Sequence, residues 1–93
     1  MTSQQDAQRR FMVALTFDMP AGQQHAMAAL IPQEQAHIHE LAAQGRVETN
    51  YISADRSHVW LVMRGDGPDD IAQELTSFPL YTYLRPNITA LLP

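Results

Sequence analysis

"RFMVALTFD" (residues 10–18) is the stretch that decides the fold, because both of its alternating sets of side chains are almost wholly apolar. Successive side chains of a β-strand point to opposite faces of a sheet. One set here is Phe11, Val13, Leu15 and Phe17, and the other is Met12, Ala14 and Thr16. "SHVWLVMR" (57–64) repeats the pattern. We therefore predict two strands at the centre of a sheet, each apolar on both faces.

The remaining segments supply the elements around these strands. Residues 20–45 predict a helix with a break or kink near Pro32 and an end at Gly45. The other predicted elements are an edge strand at 46–54, a short helix with an acidic first turn at 69–78, an irregular or extended segment at 79–86 and a last strand at 87–92. The order is β-α-β-β-α-β.

This order is that of a ferredoxin-like α+β domain, an antiparallel sheet with two helices on one face. We expect one domain over residues 10–93, preceded by a flexible tail at 1–9. One helix layer covers only one face of the sheet, yet the central strands are apolar on both. A second copy of the sheet is the simplest cover, so we predict a face-to-face homodimer.

Composition excludes several classes of function. The chain has 93 residues, a net charge of −4, no cysteine and no lysine, so its six basic residues are all arginines. Nothing here indicates a nucleic-acid partner or a basic membrane-binding face. We read no signal peptide in the polar first ten residues and no membrane span, and therefore expect a cytoplasmic protein.

The candidate chemistry lies in "QEQAHIHELAAQG" (33–45). At 100° per residue, Glu34 falls within the apolar stripe of the helix, seven residues from both Met27 and Leu41. His37 lies one turn further on, near the edge of the stripe, whereas His39 points to solvent.

Three interpretations of Glu34 stay open. It could be paired with an arginine or with His37, or it could be a proton-transfer group whose pKa is raised by desolvation. It could also be a metal ligand, since Glu-x-x-His is half of a di-metal motif. The chain has one such motif where two are needed, so we predict no metal. Tyr51, Tyr83, Arg85 and His58 are further candidates for substrate contacts.

Two segments resemble the muconolactone isomerase family. They are "SFPLYTYLRPNITALLP" (77–93), with its Pro-Leu-aromatic-x-Tyr pattern, and "EQAHIHELAAQGRV" (34–47). The resemblance implies a dimeric α+β barrel that assembles further into a larger ring, with pockets between helix and sheet. It also implies a cofactor-free isomerase that moves a proton within a carboxylated lactone. Glu34 matches the family's helix carboxylate and Tyr83 the C-terminal tyrosine. The chain departs from the family at Gln35 and in "VETNYIS" (47–53), where basic residues that could anchor a carboxylate are expected.

The first functional hypothesis is thus an isomerase-like protein of aromatic catabolism without metal or organic cofactor. Glu34 would be its acid–base group and His37 the partner of Glu34. The residues expected to position the substrate are Tyr51, Tyr83, Arg85 and His58. The alternatives are a non-catalytic small-molecule-binding or assembly protein, and a barrel-type monooxygenase. Whether the chain is an enzyme stays open at this stage.

Overall fold

The computed structural model describes residues 9–18 and 20–92. Its strands are β1 (Arg9–Phe17), β2 (Val47–Ile52), β3 (His58–Gly65) and β4 (Leu84–Ala90), and its helices are α1 (Gln24–Ala43) and α2 (Pro68–Leu75). A single 3-10 turn at Tyr81–Tyr83 leads directly into β4. The predicted tail at 1–9 lies outside the described residues, except for Arg9.

The four strands form one antiparallel sheet in the order β2-β3-β1-β4. The two strands that the sequence marked as apolar on both faces, β1 and β3, are the central pair, with Val13 opposite Leu61. The more polar β2 is an edge strand, and its register shifts between Val47 and Thr49. The predicted ferredoxin-like α+β fold is confirmed.

Helix α1 was predicted over residues 20–45 with a break or kink near Pro32, and it differs in where it begins and in its continuity. It runs without interruption from Gln24 to Ala43 with Pro32 inside it, so the predicted break is absent. Proline removes one main-chain hydrogen bond from a helix interior. Packing of the inward stripe, including Met27 and Leu41, against the sheet stabilises the helix on both sides of that position. The last predicted strand also begins earlier than expected, at Leu84.

The two faces of the sheet have different surroundings. The helices cover the face that carries Phe11, Val13 and Leu15, which are fully or almost fully buried. We call the opposite side the open face; its centre is formed by Met12, Ala14, Trp60 and Val62. Within the described part of the chain, no helix combines the length and the apolar character that a membrane crossing requires.

Candidate functional site

A cavity lies between helix α1 and the covered face of the sheet. Its volume is about 80 Å³, and it opens to solvent at its mouth. Its lining is mainly apolar, and the residues that form it are Phe17, Ile31, Glu34, Gln35, Ile38, Ile52, Arg56, Val59 and Leu80. A carboxylate, an amide and a guanidinium are therefore the side-chain polar groups in an otherwise hydrophobic wall.

Glu34 is the buried acid of this cavity. Its place in the apolar stripe of α1 turns it toward the sheet, and only 6% of the residue is exposed. Its Oε1 accepts a hydrogen bond from the backbone N–H of Leu80 at 3.1 Å. Burial raises the pKa of Glu34, and this effect outweighs the opposing effects of the Leu80 hydrogen bond and the charge of His37. Among the described residues no arginine forms an ion pair with Glu34, so the paired interpretation depends on His37 alone.

The charge of His37 acts on Glu34, but the polar contacts of the His37 ring are with other residues. Its Nε2 lies 2.8 Å from Ser77 Oγ, and its Nδ1 lies 3.7 Å from a carboxylate oxygen of Glu40. The ring also packs edge-on against Phe78, with 5.1 Å between the ring centres. These contacts tie α1 to residues 77–80, the segment that presents the Leu80 N–H to Glu34.

Ser77, His37 and Glu40 together have the residue types of a hydrolase triad, but the hydrogen bonds rule out that role in this arrangement. Ser77 Oγ donates its single proton to the backbone carbonyl of Glu74 at 2.7 Å. His37 Nε2 must then be the donor toward Ser77, so it does not act as a base on the hydroxyl. This contact is structural.

The other four predicted site residues do not line the cavity. Tyr51 is 60% exposed and lies beside Trp60 on the open face, and His58 stacks on Trp60 from the same side. The Tyr83 hydroxyl donates to Gln23 at 2.9 Å, and Arg85 forms an ion pair with Asp18. The role of these side chains in substrate binding stays a prediction.

Arg56 is the cavity residue that the sequence analysis missed. It lies in the turn between β2 and β3, where its backbone adopts a positive φ of 63°. The sequence "ADRS" (54–57) indicated only a turn, and nothing in its spacing relates Arg56 to Glu34 on a helix 22 residues earlier. The fold brings the two side chains to the same cavity.

Metal ligation has no structural support in the described residues. Over 9–18 and 20–92 there is no group of three or more His, Asp or Glu side chains that could hold a metal ion. Glu34 bonds Leu80, and both nitrogens of His37 face partners other than Glu34. Glu34 and His37 therefore lie one helical turn apart on α1 but contact different partners.

The sheet, the two helices on one face and the buried acid beneath α1 define a ferredoxin-like α+β protein with a candidate small-molecule cavity. Residues 10–93 match the family model described as muconolactone delta-isomerase. Because this match covers nearly the whole chain, the protein belongs to the muconolactone delta-isomerase family. A comparison with curated proteins found no match.

Proposed function

We propose that this muconolactone isomerase-like protein transfers a proton within a small carboxylated lactone without a cofactor, with Glu34 as the acid–base group. The observation that carries the proposal is the buried carboxylate of Glu34 in an apolar cavity. In the described part of the chain it accepts a hydrogen bond from Leu80 but forms no ion pair. Desolvation raises the pKa of this carboxyl group toward the pH at which a proton is both accepted and returned efficiently.

The proposed reaction is an isomerisation, in which Glu34 removes one proton from the substrate and returns one to it. The Glu34 carboxylate accepts a proton from an acidic C–H of an unsaturated lactone ring, and the electron pair left behind delocalises onto the ring carbonyl as an enolate. The resulting Glu34 carboxylic acid returns a proton to another carbon of the conjugated system, so the double bond moves and the product is an isomer. The apolar wall, with Ile31, Ile38 and Val59, limits access of water to this intermediate.

His37 takes a positioning role in this proposal. It holds residues 77–80 through Ser77 and Phe78, and those residues supply the N–H that orients the Glu34 carboxylate. Its positive charge, when the ring is protonated, opposes the effect of burial on the pKa of Glu34. His37 therefore influences how strong a base Glu34 is, without a contact between the two side chains.

The decisive experiment is the isomerisation of muconolactone followed by absorbance, with the wild-type protein, Glu34→Gln and Glu40→Gln. Glu40 lies on the same helix but its side chain is 72% exposed, which makes it the matched control. We expect turnover by the wild type and by Glu40→Gln, and a loss of about 100-fold or more for Glu34→Gln, as for removal of a general base. Turnover by Glu34→Gln at the wild-type rate would contradict the proposal.

The non-catalytic alternative predicts a different pattern for the same variants. If the Glu34–Leu80 hydrogen bond serves only to join α1 to the segment after α2, the wild type will show no turnover although it is folded. Replacing Glu34 would then change stability alone. The comparison of Glu34→Gln and Glu40→Gln in both activity and unfolding separates these two functions.

We also propose that the protein associates with itself through the open face. Met12, Ala14 and Trp60 stay partly exposed there, while their neighbours in β1 and β3 on the other face are buried. At one end of the same face, Glu48 forms ion pairs with Arg10 and Arg64, at 2.8 and 3.1 Å. An apolar centre beside polar, charged residues is typical of a protein interface, and a second copy presents the same surface.

A further inference from the structure

We infer that Arg56 binds the carboxylate of the ligand and so determines the preference of the cavity for an anionic substrate. The inference deepens the proposed function and rests on it for the identity of the cavity as the substrate site. Arg56 would supply the cationic anchor that the family resemblance predicts at position 35 or within 47–53, where this chain has no basic residue.

The other five arginines already have hydrogen-bonding or ionic partners. Arg9 donates to the backbone carbonyl of Asp66, and the remaining four form ion pairs: Arg10 and Arg64 with Glu48, Arg46 with Asp70 and Glu74, and Arg85 with Asp18. Among the residues that the structure describes, the Arg56 side chain has no hydrogen-bonding or ionic partner. An uncommitted guanidinium can accept a carboxylate without first losing a bond.

The placement of Arg56 relative to Glu34 suits a carboxylated ligand. Both residues line the same cavity, whose remaining walls are apolar apart from Gln35. Among the described residues no ion pair joins Arg56 to Glu34, so the guanidinium does not neutralise the buried acid. A lactone with a carboxylate side arm can then place its anion on Arg56 and its ring against the apolar wall near Glu34.

The backbone of the turn adopts an uncommon conformation at Arg56. A positive φ of 63° is a left-handed conformation, in which a residue with a side chain is less stable than glycine. The turn is held in place by Arg56 N–H, which donates to the Ser53 carbonyl at 2.9 Å, and by Asp55, which accepts bonds from Ser53 and Ser57. These bonds hold Arg56 in a left-handed conformation at the cavity, and such conformations occur at functional positions where the surrounding structure maintains them.

The test is a binding titration that does not depend on turnover. The probe is a saturated five-membered lactone bearing a carboxymethyl group, which cannot isomerise because it lacks the ring double bond. Its methyl ester has nearly the same shape without the charge. Binding of both compounds is measured by calorimetry or by NMR for the wild type, Arg56→Gln, Arg56→Lys and Arg9→Gln, with Arg9 as the matched control of equal charge change.

We expect Arg56→Gln to weaken binding of the carboxylate about tenfold or more and to leave the methyl ester unchanged, because a charge-assisted hydrogen bond is lost. Arg56→Lys should recover part of the affinity, since the charge remains but the two-pronged geometry does not. Arg9→Gln should bind both compounds as the wild type does. Equal weakening of both compounds by Arg56→Gln would overturn the inference, as would failure of the wild type to prefer the carboxylate.

This experiment also distinguishes the inference from the proposed function. Carboxylate-selective binding that depends on Arg56, in a protein that does not isomerise muconolactone, would support the anchor and reject the reaction. Turnover by the wild type with an unchanged KM in Arg56→Gln would support the reaction and reject the anchor. Circular dichroism of each variant confirms that a change in affinity does not come from unfolding.

Discussion

Glu34 and Leu80 are joined by a hydrogen bond of 3.1 Å between residues that are 46 positions apart in the chain. The bond connects the middle of α1 to the segment that follows α2, and it satisfies a buried backbone N–H with a carboxylate. One acceptor oxygen of Glu34 is therefore engaged, while the carboxylate still lines the cavity and forms no ion pair with any residue of 9–18 or 20–92. The same residue thus joins two parts of the fold and retains the capacity to take up a proton.

Glu34→Gln should abolish activity without lowering the stability of the fold. The amide oxygen can still accept the Leu80 hydrogen bond, and the cost of burying a charge disappears. We expect the free energy of unfolding at pH 8 to equal that of the wild type within about 1 kcal/mol or to exceed it, while activity is lost. Urea unfolding measures this.

Glu34→Leu is the matched variant for that comparison. Leucine cannot accept a hydrogen bond, so the buried Leu80 N–H loses its partner and the protein should be about 1–3 kcal/mol less stable than Glu34→Gln. If the two variants have equal stability, the Leu80 hydrogen bond contributes nothing and the orientation of Glu34 needs another explanation.

Both activity and stability should depend on pH because the pKa of Glu34 is raised. The folded state binds the Glu34 proton more tightly than the unfolded state does, so the stability due to this group is complete below the ordinary glutamate pKa and is lost as the pH rises through the raised one. The activity should change in the opposite direction, because the ionised form is the base. As the pH rises above the ordinary glutamate pKa, we expect kcat/KM to rise and the free energy of unfolding to fall. Glu34→Gln should show neither change.

His37→Gln tests the electrostatic part of this account. Glutamine can still donate to Ser77, but it removes the positive charge that lowers the pKa of Glu34. The acidic limb of the pH profile should therefore move to higher pH, with kcat at the pH plateau reduced much less than in Glu34→Gln. An unshifted limb, or a loss of kcat as large as that of Glu34→Gln, would contradict a positioning role.

The turn that carries Arg56 should depend on Asp55. The hydroxyl of Ser57, its backbone N–H and the hydroxyl of Ser53 all bond this carboxylate and lower the pKa of Asp55 to about 2. The support that Asp55 gives to the turn is present above the ordinary aspartate pKa and is lost as the pH falls toward 2.

Asp55→Asn should loosen the turn by weakening these three bonds. We expect KM for muconolactone to rise several-fold and kcat to stay within about twofold of the wild type, because the acid–base group is untouched. Steady-state kinetics measures both constants. A fall in kcat with an unchanged KM would mean that the turn acts on the chemistry and not on substrate binding.

The proposed pairing through the open face should be sensitive to charge at its centre. Trp60→Glu places a carboxylate in the middle of that face, and a two-fold axis would bring two such charges together. We expect light scattering during size-exclusion chromatography to show loss of the oligomer. Ala36→Glu, on the exposed side of α1, is the control and should keep the wild-type mass. A wild-type protein that is monomeric at high micromolar concentration would reject the pairing.

The sequence by itself determined the fold and the site of the acid. Strand alternation depends on neighbouring residues alone, so the two-sided apolar pattern of 10–18 and 57–64 predicted the central strands, and the element order then predicted the sheet topology. Helical spacing placed Glu34 within the buried stripe in the same way, because 100° per residue holds whatever the helix packs against. The continuity of α1 through Pro32 was not predicted, since the stabilising contacts come from the sheet.

Only the tertiary structure decided which groups meet. It places His37 beside Ser77 and Phe78, Tyr51 and His58 on the open face, and Arg85 with Asp18, and it brings Arg56 from a turn to the cavity of Glu34. Each of these contacts joins residues distant in the chain or depends on which face of the sheet is covered. Sequence periodicity describes the direction of a side chain from its own helix or strand. The partner at the end of that side chain depends on how the helices and turns pack on the sheet, and that packing is a property of the whole fold.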